Sequence, residues 1–190
     1  MIIGITGHAR NGKDSIADIL VSDFNFEHLS FAWPIKEACK TIFGWTDEHV
    51  YGSLKDIDDP KYGISPRLAL QLLGTEWGQF TLCEKSISFA STTGRSLWVK
   101  RALDGIDNKN VVISDVRFLH EAESINKAGG YIFRVIRPGY ESLSTHASET
   151  EMVEIKEDFC IMNDRSLDDL QHAVYSAMVK LGLAKMGINK

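Results

Sequence analysis

The stretch Ile2-Ile3-Gly4-Ile5-Thr6-Gly7-His8-Ala9-Arg10-Asn11-Gly12-Lys13-Asp14-Ser15, with Ile16, Ala17, Ile19 and Leu20 behind it, decides the reading of this chain. Ile2, Ile3 and Ile5 form a short apolar run that reads as a buried strand. Ile16, Ala17, Ile19 and Leu20 recur at helical spacing, which predicts a helix from near Gly12 to about Asp23-Phe24. Between them lies Gly-x-x-x-x-Gly-Lys. Strand, loop and helix in that order form the context that separates a phosphate-binding loop from a chance match. Gly7 and Gly12 permit backbone angles that a Cβ forbids, so successive N–H groups can turn inward around an anion. The helix start adds unpaired N–H groups and the positive end of its dipole. Lys13 then reaches the β and γ phosphates of a nucleotide. One position departs from the usual pattern. Asp14 stands where a hydroxyl is expected, and Ser15 follows one residue later. A carboxylate is also a hard oxygen ligand, so Asp14 can hold Mg²⁺ directly or through water, with Ser15 assisting.

The chain has 190 residues, 44% of them apolar and 25% charged, which fits one globular domain and neither a disordered nor a membrane class. A net charge of −5 argues against a nucleic-acid polymer as partner. It leaves room for a small anionic ligand wherever Arg10, Lys13, Arg67, Arg117 and Arg137 converge. Cys39, Cys83 and Cys160 are odd in number and widely spaced. They read as buried, reduced thiols rather than a disulfide frame or a zinc site. No signal peptide and no membrane-length apolar run is read, so the expectation is a cytoplasmic protein with no membrane partner.

Further along, Glu27 to Ala32 read as a short strand. Pro34 suits the first turn of a helix whose apolar face is Ile35, Ala38, Cys39 and Ile42, ended by Gly44. Residues 45 to 65 lack periodicity and read as a long loop or a small helical insertion. Ser65-Pro66 forms an N-cap and first helical position, and Leu68 and Leu72 carry that helix to about Gly74. Residues 75 to 94 are expected to be partly helical, and Ser96 to Leu103 helical. Val111 to Asp115 read as a buried parallel strand. Glu121, Ala122, Ile125 and Ala128 mark a helix closed by Gly129-Gly130. Tyr131 to Val135 and Phe159 to Met162 are the remaining strands. Ser166 to Asp169 resembles a capping box ahead of Leu170, Val174, Ala177, Met178 and Leu181. Apolar strands separated by helices predict a three-layer α/β/α fold on a mostly parallel, roughly five-stranded sheet. Ligands of such sheets bind beyond the carboxyl ends of the strands, where the loop, Asp115 and Arg137 all fall.

Three constellations carry chemistry. Asp115 ends a buried strand and can bind Mg²⁺ through water or accept from a substrate hydroxyl, and Arg117 can clamp a phosphate in bidentate fashion. The alternative is a helix-capping Asp115 and a surface-paired Arg117. Arg137 precedes Pro138-Gly139 and a polar segment. A mobile arginine there supplies positive charge when a lid closes. Within that segment, Thr145-His146-Ala147-Ser148-Glu149 is a polar cluster. Arg67, Gln71, Gly74, Thr75 and Gln79 recur at roughly helical spacing and can face one cleft. Trp33, Trp77 and Trp98 are candidates for stacking on a base, or core residues.

With these residues in view, the chain resembles the phage-type deoxynucleoside monophosphate kinases, a branch of the P-loop nucleotide kinases. The resemblance runs in order through the loop of residues 7 to 15, Pro34-Ile35-Lys36, and Arg67 with Leu70-Gln71-Leu72-Leu73-Gly74-Thr75-Glu76. It continues through Trp98-Val99, Ser114-Asp115-Val116-Arg117 with Glu121, Val135-Ile136-Arg137-Pro138-Gly139, residues 145 to 149, and Asn163-Asp164 with Ser166-Leu167. Residues 45 to 63 match least.

The resemblance implies a single kinase domain, with an acceptor-binding helical region at about 34 to 105 and a lid at about 138 to 157. It implies ATP-dependent phosphorylation of a deoxynucleoside 5′-monophosphate with Mg²⁺. The Lys-Asp-Ser order belongs to the same pattern. ATP would lie on Ala9, Arg10, Asn11, Gly12, Lys13, Asp14 and Ser15, with Arg137 and Asn163. The acceptor would lie on Ile35, Lys36, Arg67, Gly74, Thr75, Trp98, Asp115 and Arg117. Lys13, Arg67, Arg117 and Arg137 would carry catalysis. Asp14 and Ser15, with Asp115 through water, would serve the metal. A homodimer is compatible with the resemblance. Two other readings stay open. One is a same-scaffold kinase for dephospho-coenzyme A or phosphomevalonate. The other is a nucleotide-binding regulator without acceptor phosphorylation.

Overall fold

The computed structural model describes residues 1–106, 108–140 and 150–183. The polar cluster 145–149 and much of the expected lid lie outside the described residues. The chain divides into two compact units. One comprises Met1–Leu29 with Ile106–Lys190, and the other is Ser30–Gly105.

The first unit is built on five strands: β1 (Ile2–Thr6), β2 (Glu27–Leu29), β3 (Val111–Ile113), β4 (Tyr131–Ile136) and β5 (Phe159–Met162), in the order β2-β3-β1-β4-β5. Every pairing is parallel, with Ile2 opposite Val111 and Ile3 opposite Tyr131 on the two sides of β1. Helix α1 (Lys13–Phe24) buries Ile16, Ala17, Ile19 and Leu20, the residues picked out by their spacing. They join Ile3, Ile5, Val112, Phe133, Val135 and Ile161 from the sheet, and Leu170, Val174, Ala177 and Met178 from the last helix, Leu167–Lys180, in one core. Each Val, Leu, Ile, Phe or Met side chain among them contributes about 1.5–3 kcal/mol on leaving water. Leu119–Lys127 buries Glu121, Ala122 and Ile125 and packs against β1 and β4. Isoleucine 125 lies against the position of Gly4, on the face of β1 opposite to Ile3 and Ile5. Helices therefore cover both faces, the expected three layers. Because β1 sits between strands laid down on either side, its carboxyl end lies at the crevice where such sheets bind ligands.

The second unit is helical. It contains α2 (Trp33–Phe43), α3 (Asp47–Val50), α4 (Pro66–Gln71), a π-helical segment Leu72–Thr81, α5 (Leu82–Lys85), α6 (Ile87–Thr92) and α7 (Leu97–Leu103). Its core gathers Cys39, Trp45, Val50 and Ala69. The two long helices of the first unit named above, Leu119–Lys127 and Leu167–Lys180, are α8 and α9.

Several expectations are corrected here. The strand begun at Glu27 stops at Leu29, and Ala32 already caps α2. The strand begun at Val111 stops at Ile113, so Ser114 and Asp115 lie in the turn beyond it. Ile42, in the last turn of α2, is 62% exposed, and Phe43 beside it packs against the core of this unit instead. The helix expected to stop near Gly74 runs on to Lys85 through the π segment. There the Trp98 indole N–H donates to the Gly74 carbonyl and the Thr81 hydroxyl to that of Glu76. Residues 45–65 are a helical insertion, with α3, a 3₁₀ turn at Ser53–Asp56 and an Asp59–Ile64 bridge. The cysteines are free thiols, but only Cys39 is buried. Burial pushes its thiol up to about 11. Cys160 is exposed because alternation along β5 turns Ile161 to the core and Cys160 outward. Among the described residues no helix is long and apolar enough to cross a membrane.

Candidate active site

The phosphate loop occupies the carboxyl end of β1. Gly7 and Gly12 have φ of 146° and 99°, and Arg10, with a side chain, has φ of 65°. A Cβ on Gly7 would lie 2.5 Å from the Val135 carbonyl oxygen, so the loop closes against β4 only with glycine there. A non-glycine residue held left-handed costs about 1–2 kcal/mol, and strain of this kind concentrates at ligand clamps. The Lys13 ammonium donates to the carbonyl oxygens of Gly7 and His8, both at 2.8 Å, and is thereby held at the loop itself. The Asn11 side-chain amide donates to Val135 O at 3.2 Å, and Asn163 donates to Asn11 O at 2.8 Å. Strand β4 and the turn after β5 thus brace the loop from the side. Gly12 is a left-handed N-cap, and α1 starts at Lys13 with Asp14 in its first turn.

Beside the loop, the turn after β3 carries the second motif. Val116 N–H donates to Ile5 O at 3.2 Å, which ties this turn to β1. Glu121, 4% exposed, accepts the N–H groups of Arg117 and Phe118 at 2.8 and 3.0 Å. Its carboxyl is raised to about 8, first by burial and further by the Asp115 charge, against the pull of those N–H groups and of Arg117. Glu121 therefore pins the backbone at Arg117 and Phe118, where the turn passes into the next helix. Ser114 donates to Asp14 Oδ1 at 3.0 Å and lies 2.8 Å from His28 Nε2. Arg137, just past β4, is exposed with its guanidinium over the Tyr140 ring at 4.5 Å.

The first unit therefore brings together Asn11, Gly12, Lys13, Asp14 and Asn163, with the Asp115–Arg117 turn tied to the same β1. The residues read as acceptor-binding in the second unit form their own group. Trp98 donates from its indole to Gly74 O at 2.7 Å, and Gly74 leaves room for Ile35, whose Cδ1 would stand 2.9 Å from a Cβ there. Thr75 is buried beside them in the sequence. Lys36 lies over the Tyr51 ring at 3.8 Å, and Arg67 pairs with Asp56, its Nη2 at 3.0 Å. Trp33 and Trp77 are 51% and 43% exposed, and the core tryptophan is Trp45.

Among the described residues no group of three or more His, Cys, Asp and Glu side chains could cage a metal alone. Mg²⁺ that accompanies a nucleotide needs only one or two carboxylates besides phosphates and water. Asp14 and Ser15 at the helix start fit that demand. The bracing residues His28 and Glu121 were not read as such from the sequence. His28 finds its partner on another element, whereas Glu121 is the N3 residue of a capping box at the start of α8, with Phe118 as N-cap.

A family model described as deoxynucleotide monophosphate kinase matches residues 86–174. That span excludes the phosphate loop, so loop and match are independent observations. A protein of Acanthamoeba polyphaga mimivirus described in the same terms is 34% identical over 188 residues, covering 94% of this chain and 96% of its own. The deoxynucleotide monophosphate kinase of Enterobacteria phage T4 is 31% identical over 228 residues, covering 89% of this chain and 95% of its own. Among solved structures, a dephospho-CoA kinase from Campylobacter jejuni is 17% identical with a TM-score of 0.43, covering 95% of this chain and 96% of its own. A likeness of that size adds nothing to the strand order.

Proposed function

The chain belongs to the deoxynucleotide monophosphate kinase family, and from that membership we propose that it transfers the γ-phosphoryl group of ATP to a deoxynucleoside 5′-monophosphate, giving the diphosphate and ADP. The observation that carries the reading is the loop Gly7–Lys13 at the carboxyl end of the central parallel strand, supported by a family match that does not include it.

Phosphoryl transfer asks a protein mainly for positioning and positive charge. Lys13 and the loop N–H groups neutralise the β and γ phosphates. Asp14 and Ser15 would hold Mg²⁺, directly or through water, and Asp115 through water; the cation would supply positive charge against the phosphates. Ala9, Arg10, Asn11 and Gly12 complete the ATP side with Asn163. Arg67 and Arg117 orient the acceptor phosphate in line. Ile35, Lys36, Gly74, Thr75, Trp98 and Asp115 hold the rest of the acceptor. Arg137 brings its charge from the lid side and excludes water. The acceptor phosphate is already an anion near neutral pH, so no strong general base is needed. The substrates are small nucleotides, and the place of action is the cytoplasm, where ATP and deoxynucleotides are supplied.

The test is a turnover survey. Each deoxy- and ribonucleoside monophosphate, dephospho-coenzyme A and phosphomevalonate is offered with ATP and Mg²⁺, and ADP release is followed in a coupled assay. Turnover confined to deoxynucleotides is expected. Nucleotide binding without acceptor-dependent ADP release would overturn the reading in favour of a regulator.

A further inference from the structure

Asp14, Ser114 and His28 come from three elements of one unit and meet in a chain of two hydrogen bonds. Ser114 Oγ is 3.0 Å from Asp14 Oδ1, and His28 Nε2 is 2.8 Å from Ser114 Oγ. The sheet register explains the meeting. His28 pairs with Val112, whose side of the sheet packs on α1, and the first turn of α1 carries Asp14; Ser114 lies in the turn that follows β3.

The direction of the chain follows from counting protons. A serine hydroxyl has one, and an ionised carboxylate only accepts. Ser114 therefore gives its proton to Asp14, and its lone pair accepts from His28, so Nε2 carries hydrogen. Ser114, at the centre of the chain, is only 5% exposed, between the exposed Asp14 and His28.

An aspartate beside a triphosphate is a hazard unless its orientation is fixed. With a cation between, it attracts; without one, it repels the phosphates. We propose that Ser114 and His28 are positioning residues of the phosphoryl-transfer site: they commit Asp14 Oδ1 and so present Oδ2 to the divalent cation that travels with ATP. This rests on the kinase reading above. It makes the hydroxyl missing from the loop reappear one strand away, as support for the carboxylate that replaced it.

The experiment uses the full chain with Mn²⁺ in place of Mg²⁺ and a non-hydrolysable ATP analogue. Free Mn²⁺ is counted by electron paramagnetic resonance for wild type, Asp14→Asn, Ser114→Ala, His28→Ala and His28→Gln. Supporting partners of metal ligands are typically worth about 10- to 100-fold in metal affinity. Ser114→Ala and His28→Ala are expected to weaken Mn²⁺ binding about 10-fold, with KM for the acceptor unchanged. His28→Gln, which keeps an N–H donor, should recover most of the loss. Melting temperatures identify any variant that fails to fold, and His28, exposed on the edge strand, is the variant that keeps the test decisive. Wild-type Mn²⁺ affinity in both His28→Ala and Ser114→Ala, with a loss in Asp14→Asn, would overturn the inference. Wild-type affinity in Asp14→Asn would overturn it too, and would leave the kinase reading intact if turnover persists. Absence of acceptor turnover in wild type would overturn the kinase reading separately.

Discussion

Asn163 and Asn11 stand 152 residues apart in the chain, yet the side-chain amide of Asn163 donates to the Asn11 main-chain oxygen at 2.8 Å. The same nitrogen would lie 2.3 Å from a Cβ on Gly12. The turn after β5 therefore sets the shape of the phosphate loop, and Gly12 is the residue that lets it approach.

Removing the brace should weaken the donor side. Asn163→Ala leaves the Asn11 oxygen without its partner, a loss of about 1–3 kcal/mol. KM for ATP is expected to rise about tenfold while KM for the acceptor holds. Gly12→Ala should be worse, because its φ of 99° and the close Asn163 nitrogen both oppose a Cβ. Steady-state kinetics on both substrates read the split. An unchanged ATP KM in Asn163→Ala would remove Asn163 from the donor site.

Lys13→Ala should lower kcat by at least about 100-fold, because charge on the moving phosphoryl group is the main demand of the reaction. Its ammonium donates to the Gly7 and His8 carbonyls of the loop, so circular dichroism should show the fold retained. Near-normal turnover would sink the mechanism.

Arg67 bears on the other substrate. Arg67→Ala is expected to raise KM for the acceptor monophosphate about tenfold or more and to leave ATP affinity alone, since a charged hydrogen bond is worth about 1.5–3 kcal/mol. Its partner Asp56 is exposed, so the pair adds little to stability and the melting temperature should move by no more than a few degrees. An effect on ATP rather than on the acceptor would reassign the residue.

Glu121 predicts a pH dependence of stability. Burial raises its carboxyl from 4.5 to about 8, so between those values the folded chain keeps a proton that the unfolded chain releases. Stability is then greatest below that window, falls as pH rises through it, and is level above it. The slope is at most about 1.4 kcal/mol per pH unit. Thermal melts of wild type and Glu121→Gln across pH 5 to 9 should show the wild type losing ground up to about pH 8. Parallel curves would show that Glu121 is ionised in the fold throughout.

How much was legible in the sequence differs by element. The loop from Gly7 to Ser15 and the helix behind it were legible because each signal lies within a few residues of the next. The burial of Ile16, Ala17, Ile19 and Leu20 follows from spacing alone. The apolar pattern misled at Ile42, and Leu68 and Leu72, which continued it, stand exposed, because periodicity reports a face and not whether anything covers it. The π segment was invisible for a related reason. It is bound by the Trp98 indole at Gly74, and that bond joins residues 24 apart.

The sequence by itself determined the class of the protein. A parallel sheet with a phosphate loop on one strand follows from local order, since strand, glycine turn and helix start are neighbours in the chain. Only the tertiary structure decided which residues make that loop rigid. Asn163, Ser114 and His28 act through hydrogen bonds whose geometry depends on the strand order β2-β3-β1-β4-β5 and its register. A hydrogen bond requires its partners within about 3 Å, and folding alone brings residues so distant in the chain that close.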